Sequence, residues 1–301
     1  MTAIRNYLSL IKFSHTIFAM PFAIIGFMVG IQALRQEGVA VQIDWNFYTS
    51  LLLLVVLCMV FARSAAMAFN RYLDRHFDAR NPRTAIREIP AGIISANNAL
   101  WFTIIMGICF IATTWFINTI CFFLSPVALL VILGYSFTKR FTPLCHFVLG
   151  LGLSLAPIGA FLAVTGYFAV MPVLFSCIVL FWVSGFDIIY ALQDEDFDRQ
   201  QGLQSVPAAL GKYKALQVSR LLHMLVVLLL FTVLLYGGYG FLFAAGVGLF
   251  AGLLLYQHRL VSPTDLSKVN LAFFTTNGIA SVLFALLVIA DIIRILTKSG
   301  A

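Results

Sequence analysis

Runs of eighteen or more residues almost free of charge recur from one end of this chain to the other. That is the length a helix needs to cross the hydrocarbon core of a bilayer, about 30 Å at about 1.5 Å per residue. A chain made of such runs is read as a polytopic helical membrane protein, because a helix satisfies its own backbone polar groups in lipid. Composition agrees. Hydrophobic residues make up 61% of the 301 positions and charged residues 10%, against about 45–50% and about 25% in soluble domains. Disorder, a disulfide scaffold and a soluble globular fold are thereby excluded.

The expected fold class is all-α and integral to the membrane, with nine transmembrane helices around a central cavity. The spans are expected at roughly 15–34, 48–70, 97–116, 118–137, 144–166, 168–191, 214–236, 238–257 and 271–294. They form one bundle over residues 1–301. The run Ile17–Leu34 is long enough to span and is followed by no small-residue cleavage site, so no cleavable signal is expected. Residues 3–13 put Arg5, Ser9 and Lys12 on one helical face and Ile4, Leu8 and Ile11 on the other, as in a short interfacial helix.

The net charge is +7. In a soluble protein this would point to nucleic acid. Here the charges sort by side of the membrane, and no nucleic-acid partner is expected. With nine spans, fifteen of the 19 Lys and Arg residues fall on the N-terminal side, Arg35, Arg294 and Lys298 on the other, and Arg63 inside a span. By the positive-inside rule, the N-terminus and the loops after spans 2, 4, 6 and 8 are cytoplasmic, in a multi-pass protein of the inner cell membrane. Eight of the twelve acidic residues crowd two ends on that same side. The cysteines (Cys58, Cys109, Cys121, Cys145, Cys177) lie in or beside apolar stretches without C-x-x-C spacing. They read as small apolar residues rather than metal ligands or disulfide partners.

The first acidic end reads Asn70-Arg71-Tyr72-Leu73-Asp74-Arg75-His76-Phe77-Asp78. A spacing of four puts Asn70, Asp74 and Asp78 on one face of a helix continuing span 2. Arg63 lies two turns back, inside the membrane, where a charged residue is costly and marks function. The second runs from Asp187 through Tyr190, Asp194 and Asp198, at i, i+3, i+7 and i+11, again one helical stripe. A weak echo links the two ends, Phe77-Asp78-Ala79-Arg80 and Phe197-Asp198-Arg199.

Two carboxylate rows repel unless cations lie between them. Hard oxygen donors without a His/Cys set favour Mg²⁺, which is usually completed by water and substrate phosphates. Lys139, Arg140 and Arg63 could supply further positive charge to phosphate oxygens. One D-x3-D in a loop would pass as ordinary solvated charge. Two in-phase clusters at the exits of apolar helices are better explained by a shared ligand.

These residues resemble the UbiA superfamily of intramembrane aromatic prenyltransferases. Arg63, Asn70, Asp74 and Asp78 fit its first motif, with Arg71 standing where Asp is usual. Asp187, Tyr190-Ala191, Asp194 and Asp198 fit the second, and Lys139-Arg140-Phe141-Thr142 looks like its K-R-x-T loop. The opening Ile11-Lys12-Phe13-Ser14-His15-Thr16 and the run Asp187–Asp194 look like the 4-hydroxybenzoate polyprenyltransferase-like branch.

The resemblance implies transfer of a polyprenyl group from a polyprenyl diphosphate to a small aromatic acid, 4-hydroxybenzoate or a dihydroxynaphthoate, with Mg²⁺ as cofactor. It implies Asn70, Asp74, Asp78, Asp194 and Asp198 as metal ligands. Asp74, Asp194 and Asp187 are then the catalytic carboxylates. Arg63, Asn70, Lys139, Arg140 and Tyr190 bind substrate, with Arg75 assisting. Phe-rich spans would line a lipid-open channel. Gly and Pro within the spans (Pro126, Gly134, Gly150, Gly152, Pro157, Gly159, Gly185) fit close packing and broken helices around it. The alternative is a multispan transporter of an anionic or phosphorylated solute, which would usually carry functional polarity on both faces.

Overall fold

The computed structural model describes residues 2–10, 19–38 and 44–298. Its elements are α1 (Thr2–Leu10), α2 (Met20–Gln36), α3 (Trp45–Arg80), α4 (Ala96–Trp115), α5 (Thr119–Thr138), α6 (Cys145–Thr165) and α7 (Val170–Ala191). There follow a 3₁₀ turn (Leu192–Asp194), α8 (Glu195–Gln200), α9 (Val206–Tyr236), α10 (Phe241–Leu260), a π-helical turn (Leu271–Thr276) and α11 (Asn277–Lys298). No strand occurs among the described residues. Eight described helical stretches are long and apolar enough to cross a membrane, and α2, at 17 residues, is a shorter apolar helix in the place of the first expected span. The stretch Ile11–Thr16, with its branch-like pattern, lies outside the described residues.

α3 carries both span 2 and the first acidic cluster in one uninterrupted helix of 36 residues. Asp44 caps its start, accepting from the backbone N–H groups of Asn46 at 3.0 Å and Phe47 at 3.2 Å. It stops where Asn81 precedes Pro82 and takes extended backbone, as residues before proline do. At about 1.5 Å per residue it is about 54 Å long, more than a bilayer core of about 30 Å. Counted from Trp45, Asn70, Asp74 and Asp78 lie on the surplus.

The second cluster departs from expectation. It is not one continuous helical stripe. α7 ends at Ala191, a 3₁₀ turn follows, and α8 restarts at Glu195. Three acids in the first turn of α8 favour that restart, since a helix N-terminus is partially positive. The expected span at 214–236 likewise lies in a longer element, α9, broken at Gly211. Its φ of +79° is left-handed backbone that favours glycine.

α1 does form, but it packs on protein as well as facing outward. Tyr7 stacks on Phe102 at 4.9 Å, Leu10 is buried, and Ser9 Oγ donates to Glu88 Oε1 at 2.5 Å. Leu8 remains exposed, while Ile11 and Lys12 lie outside the described residues.

The bundle core is aromatic. Phe22, Trp182, Phe250 and Phe284 bring α2, α7, α10 and α11 together with ring centroids 5.3–6.3 Å apart. Trp182 Nε1 donates to Asn277 Oδ1 at 3.1 Å, satisfying the buried indole. α6 and α7 meet backbone to backbone at Gly150, where a Cβ would lie 2.5 Å from the Leu180 carbonyl oxygen. Gly134 and Gly159 have nothing within 4 Å of a Cβ, so no close packing holds there. α5 and α6 run on through Pro126 and Pro157 without ending.

At the end away from the acidic clusters, fully buried Asp291 accepts from the Gly240 backbone N–H at the start of α10 and pairs with Arg294 at 2.9 Å. Asp291→Ala leaves both donors without this acceptor. It is expected to lower stability by about 1–3 kcal/mol while turnover per folded molecule stays unchanged. Thermal melting in detergent alongside an activity assay checks this.

Candidate active site

A cavity of about 300 Å³ opens where α3, the 81–87 loop, the ends of α5 and α6, and the α7–α8 turn converge. Asp74, Asp78, Asp187, Asp194 and Asp198 all line it, so the two sequence clusters do form one site. Arg63, Asn70, Lys139, Arg140 and Tyr190 line it as well. Arg75 is absent from the lining. Its guanidinium donates to the Tyr72 carbonyl oxygen at 2.7 Å and stacks over that ring at 4.5 Å.

From α3, Asp74 accepts from Asn70 Nδ2 at 3.0 Å and from Arg140 at 3.1 Å. One turn on, Asp78 accepts from Arg87 at 2.6 Å, while its second oxygen is buried with no hydrogen-bond partner among the described residues. Asn70, Asp74 and Asp78 share a face because no break interrupts α3.

The broken second cluster sends its carboxylates in different directions. Asp194, in the 3₁₀ turn, is clasped by Arg83 through Nε at 3.1 Å and Nη2 at 2.5 Å, and by Asn81 at 3.2 Å. Arg83 also donates to the Tyr190 hydroxyl at 3.1 Å. Asp198, on α8, meets Lys139 Nζ at 2.7 Å and accepts from Ser205 Oγ at 2.9 Å. Ser205 in turn accepts from Ala208 N–H and so caps α9. Burial alone would pull the Lys139 ammonium down, but Asp198 outweighs it and holds the group above its ordinary value.

Asp187 Oδ2 pairs with His146 Nδ1 at 2.7 Å. Each of the five carboxylates therefore has one basic partner from the chain itself: Arg140 for Asp74, Arg87 for Asp78, Arg83 for Asp194, Lys139 for Asp198 and His146 for Asp187. The rows are held apart by guanidinium and ammonium groups, not only by an added cation. Arg83, Arg87, Asn81 and His146 carry no mark of sequence periodicity, and the positive-inside count takes in only the two arginines among them. Arg63 and Arg71 differ from the other cations of the cavity. Nε of each is buried with no hydrogen-bond partner among the described residues.

The lining fits a hard divalent cation. Its acidic donors are carboxylate oxygens, and the second oxygen of Asp78 waits buried for a partner. No three His, Cys, Asp or Glu side chains converge on one point among the described residues. This suits Mg²⁺, which takes one or two carboxylates and completes its shell with water and phosphate. Behind the charged rim the wall turns apolar, with Leu149, Leu153, Val183, Phe186 and Phe273.

Residues 17–279 match the UbiA prenyltransferase family. The chain is 30% identical over 241 residues to a 4-hydroxybenzoate octaprenyltransferase of Aliivibrio fischeri (strain MJ11), covering 80% of this chain and 82% of that protein. It is 32% identical over 247 residues to the protein of that name from Tolumonas auensis, covering 80% and 84%. A UbiA homolog from Aeropyrum pernix K1, in its apo structure, superposes with a TM-score of 0.80 at 29% identity, covering 92% of this chain and 98% of that one. A UbiA homolog from Archaeoglobus fulgidus bound to GPP and Mg²⁺ shares the fold, with a TM-score of 0.73 at 22% identity and coverage of 95% and 99%. This chain belongs to the UbiA prenyltransferase family.

Proposed function

We propose that this protein, acting as one unit over residues 1–301, transfers a polyprenyl group from a polyprenyl diphosphate to a small aromatic acid in quinone biosynthesis. The acceptor is 4-hydroxybenzoate or a dihydroxynaphthoate. The observation that carries this reading is the union of five carboxylates and several arginines in one cavity backed by an apolar wall. A transporter does not need two carboxylate rows facing each other at one end of the bundle.

Asp74, Asp78, Asp194 and Asp198, with Asn70, would hold Mg²⁺, which when bound withdraws charge from the diphosphate. Arg83, Arg87, Lys139 and Arg140 now neutralise those carboxylates. Carboxylates engaged by the ion would leave these bases free to meet phosphate oxygens. Their donors lie where negative charge develops as the allylic C–O bond breaks and its electron pair stays on the diphosphate. Arg63 and Arg71, whose buried Nε atoms have no hydrogen-bond partner among the described residues, offer the cavity a place for anionic substrate groups. Tyr190 orients Arg83 through its hydroxyl. The apolar wall keeps water from the carbocation while a C–C bond forms ortho to the acceptor phenol. The ring proton then passes to Asp187 or to the diphosphate.

Purified protein supplied with a polyprenyl diphosphate, Mg²⁺ and each acceptor in turn should yield a prenylated aromatic acid, identified by mass, with one diphosphate released per product. Uptake of a phosphorylated solute into vesicles without such a product would overturn this reading in favour of transport.

The charge asymmetry supports a cytoplasmic N-terminus and site in the inner membrane. A cysteine introduced at position 298 should react with an impermeant reagent outside intact cells, and one at position 139 should not. The reverse pattern would invert the topology.

A further inference from the structure

Asp187 is the one carboxylate of the cavity whose partner, among the described residues, is neither arginine nor lysine. Its Oδ2 lies 2.7 Å from His146 Nδ1, and no hydrogen-bond partner is found for Oδ1 among the described residues. Its side chain is 22% exposed, whereas that of His146 is 3% exposed. The imidazole is also fixed from its far side. The backbone N–H of Val206 points at His146 Nε2 from 3.3 Å. A backbone N–H can only donate, so Nε2 is the acceptor and carries no proton. The ring proton is then on Nδ1, where it donates to Asp187. Two bonds therefore define one tautomer, one ring orientation and one direction for Oδ1.

This arrangement differs in kind from the other four pairs. An arginine or lysine facing a phosphate-bearing ligand can leave its carboxylate for that ligand. An imidazole held at both nitrogens, by Asp187 and by the Val206 N–H, has no such alternative. We propose that His146 is a positioning residue. It holds Asp187 as a carboxylate with Oδ1 turned to the acceptor, so that Asp187 meets the phenol or receives the ring proton. When the C–C bond has formed, the ring C–H bond breaks and its electrons restore the aromatic sextet. The proton moves to Oδ1, while Nδ1–H keeps Oδ2 in place. His146 itself neither gains nor loses a proton, because Nε2 is occupied by Val206 N–H.

The inference rests on the proposed aromatic transfer and on Asp187 standing at its acceptor side. Asparagine places its Nδ2 donor at the same bond distance from the backbone as His Nδ1, but it has nothing at the Nε2 position. His146→Asn therefore keeps the bond to Asp187 and loses the bond to Val206, whereas His146→Leu loses both. Turnover and both KM values of wild type, H146N, H146L and D187N are measured, with melting of each protein in detergent.

The expected result is a kcat lowered about 10–100-fold for H146L, the size typical of losing a group that orients a site ligand. Its KM rises for the aromatic acid and is unchanged for the polyprenyl diphosphate, and H146N recovers most of the lost turnover. Full activity of H146L overturns the inference. So does equal impairment of H146L and H146N, which would assign His146 to holding Val206, and so does a parallel rise in both KM values. If H146L does not fold, H146N decides alone, active in support and folded but inactive against. A fully active D187N alongside a productive wild type removes Asp187 from the acceptor side and the inference with it. A wild type that makes no prenylated acid removes the proposed function instead.

Discussion

Asp74→Asn and Asp194→Asn are each expected to lower turnover by about 10²–10³, the typical effect of removing one group that acts on developing charge. The substitution keeps the size of the side chain and removes the charge by which each row would grip a divalent ion. The consequence for stability is less simple than like-charge relief suggests. Neither carboxylate is unpaired: Arg140 holds Asp74, and Arg83 clasps Asp194 with two donors while Asn81 adds a third. Loss of the Asp194 charge weakens that clasp between the 81–87 loop and the α7–α8 turn. A decrease of about 1–2 kcal/mol in stability is expected for Asp194→Asn, and less for the more exposed pair at Asp74. Asp265→Asn, at an exposed position outside the cavity, should change neither quantity. Rates at saturating Mg²⁺ and melting curves separate the two effects. If Asp74→Asn and Asp194→Asn both kept more than about a tenth of wild-type turnover, the two-row mechanism would be wrong.

Excess chelator is expected to abolish product formation, and Mg²⁺ added back should restore it. The basis is electrostatic. In the metal-free site four carboxylates occupy the arginine and lysine donors, so a diphosphate arriving alone must compete with four anions of the chain for them. With the carboxylates engaged by a divalent cation, those donors would be free for the diphosphate. Monovalent salt at matched ionic strength should not substitute, since it screens both partners without bridging them. Unchanged turnover in excess chelator would leave the carboxylate rows without their proposed role.

How much of this was legible depended on whether the backbone kept its period. Asn70, Asp74 and Asp78 could be placed on one face from spacing alone because α3 runs unbroken from Asp44 to Asn81. Asp187, Tyr190, Asp194 and Asp198 could be grouped but not aimed. A three-residue 3₁₀ turn carries no strong sequence signal, yet it redirects everything after it. Arg83 and His146 stayed hidden for a different reason. Their partners lie 111 and 41 positions away, and no local periodicity connects such distances. For Arg83 and Arg87 a signal existed, two arginines four apart just beyond an acidic stripe. The same charges also satisfy the positive-inside rule, which masks their role as partners of the carboxylates. The apolar spans were the most legible feature, since hydrocarbon thickness sets their length independently of their neighbours.

The length of α3 has a consequence for substrate traffic. The same rigid rod is anchored in lipid at one end and bears carboxylates at the other, with Arg63 fifteen residues below Asp78, or about 22 Å at about 1.5 Å per residue. A long isoprenoid drawn wholly into water would lose about 0.8 kcal/mol for every methylene-sized group exposed, which no binding site of this size could offset. On the proposed topology, a rod whose charged end lies beyond the oily layer removes the need for extraction. The proposed donor can keep its tail dissolved among lipid chains and lift only its head, so that diffusion in two dimensions delivers it to the cavity.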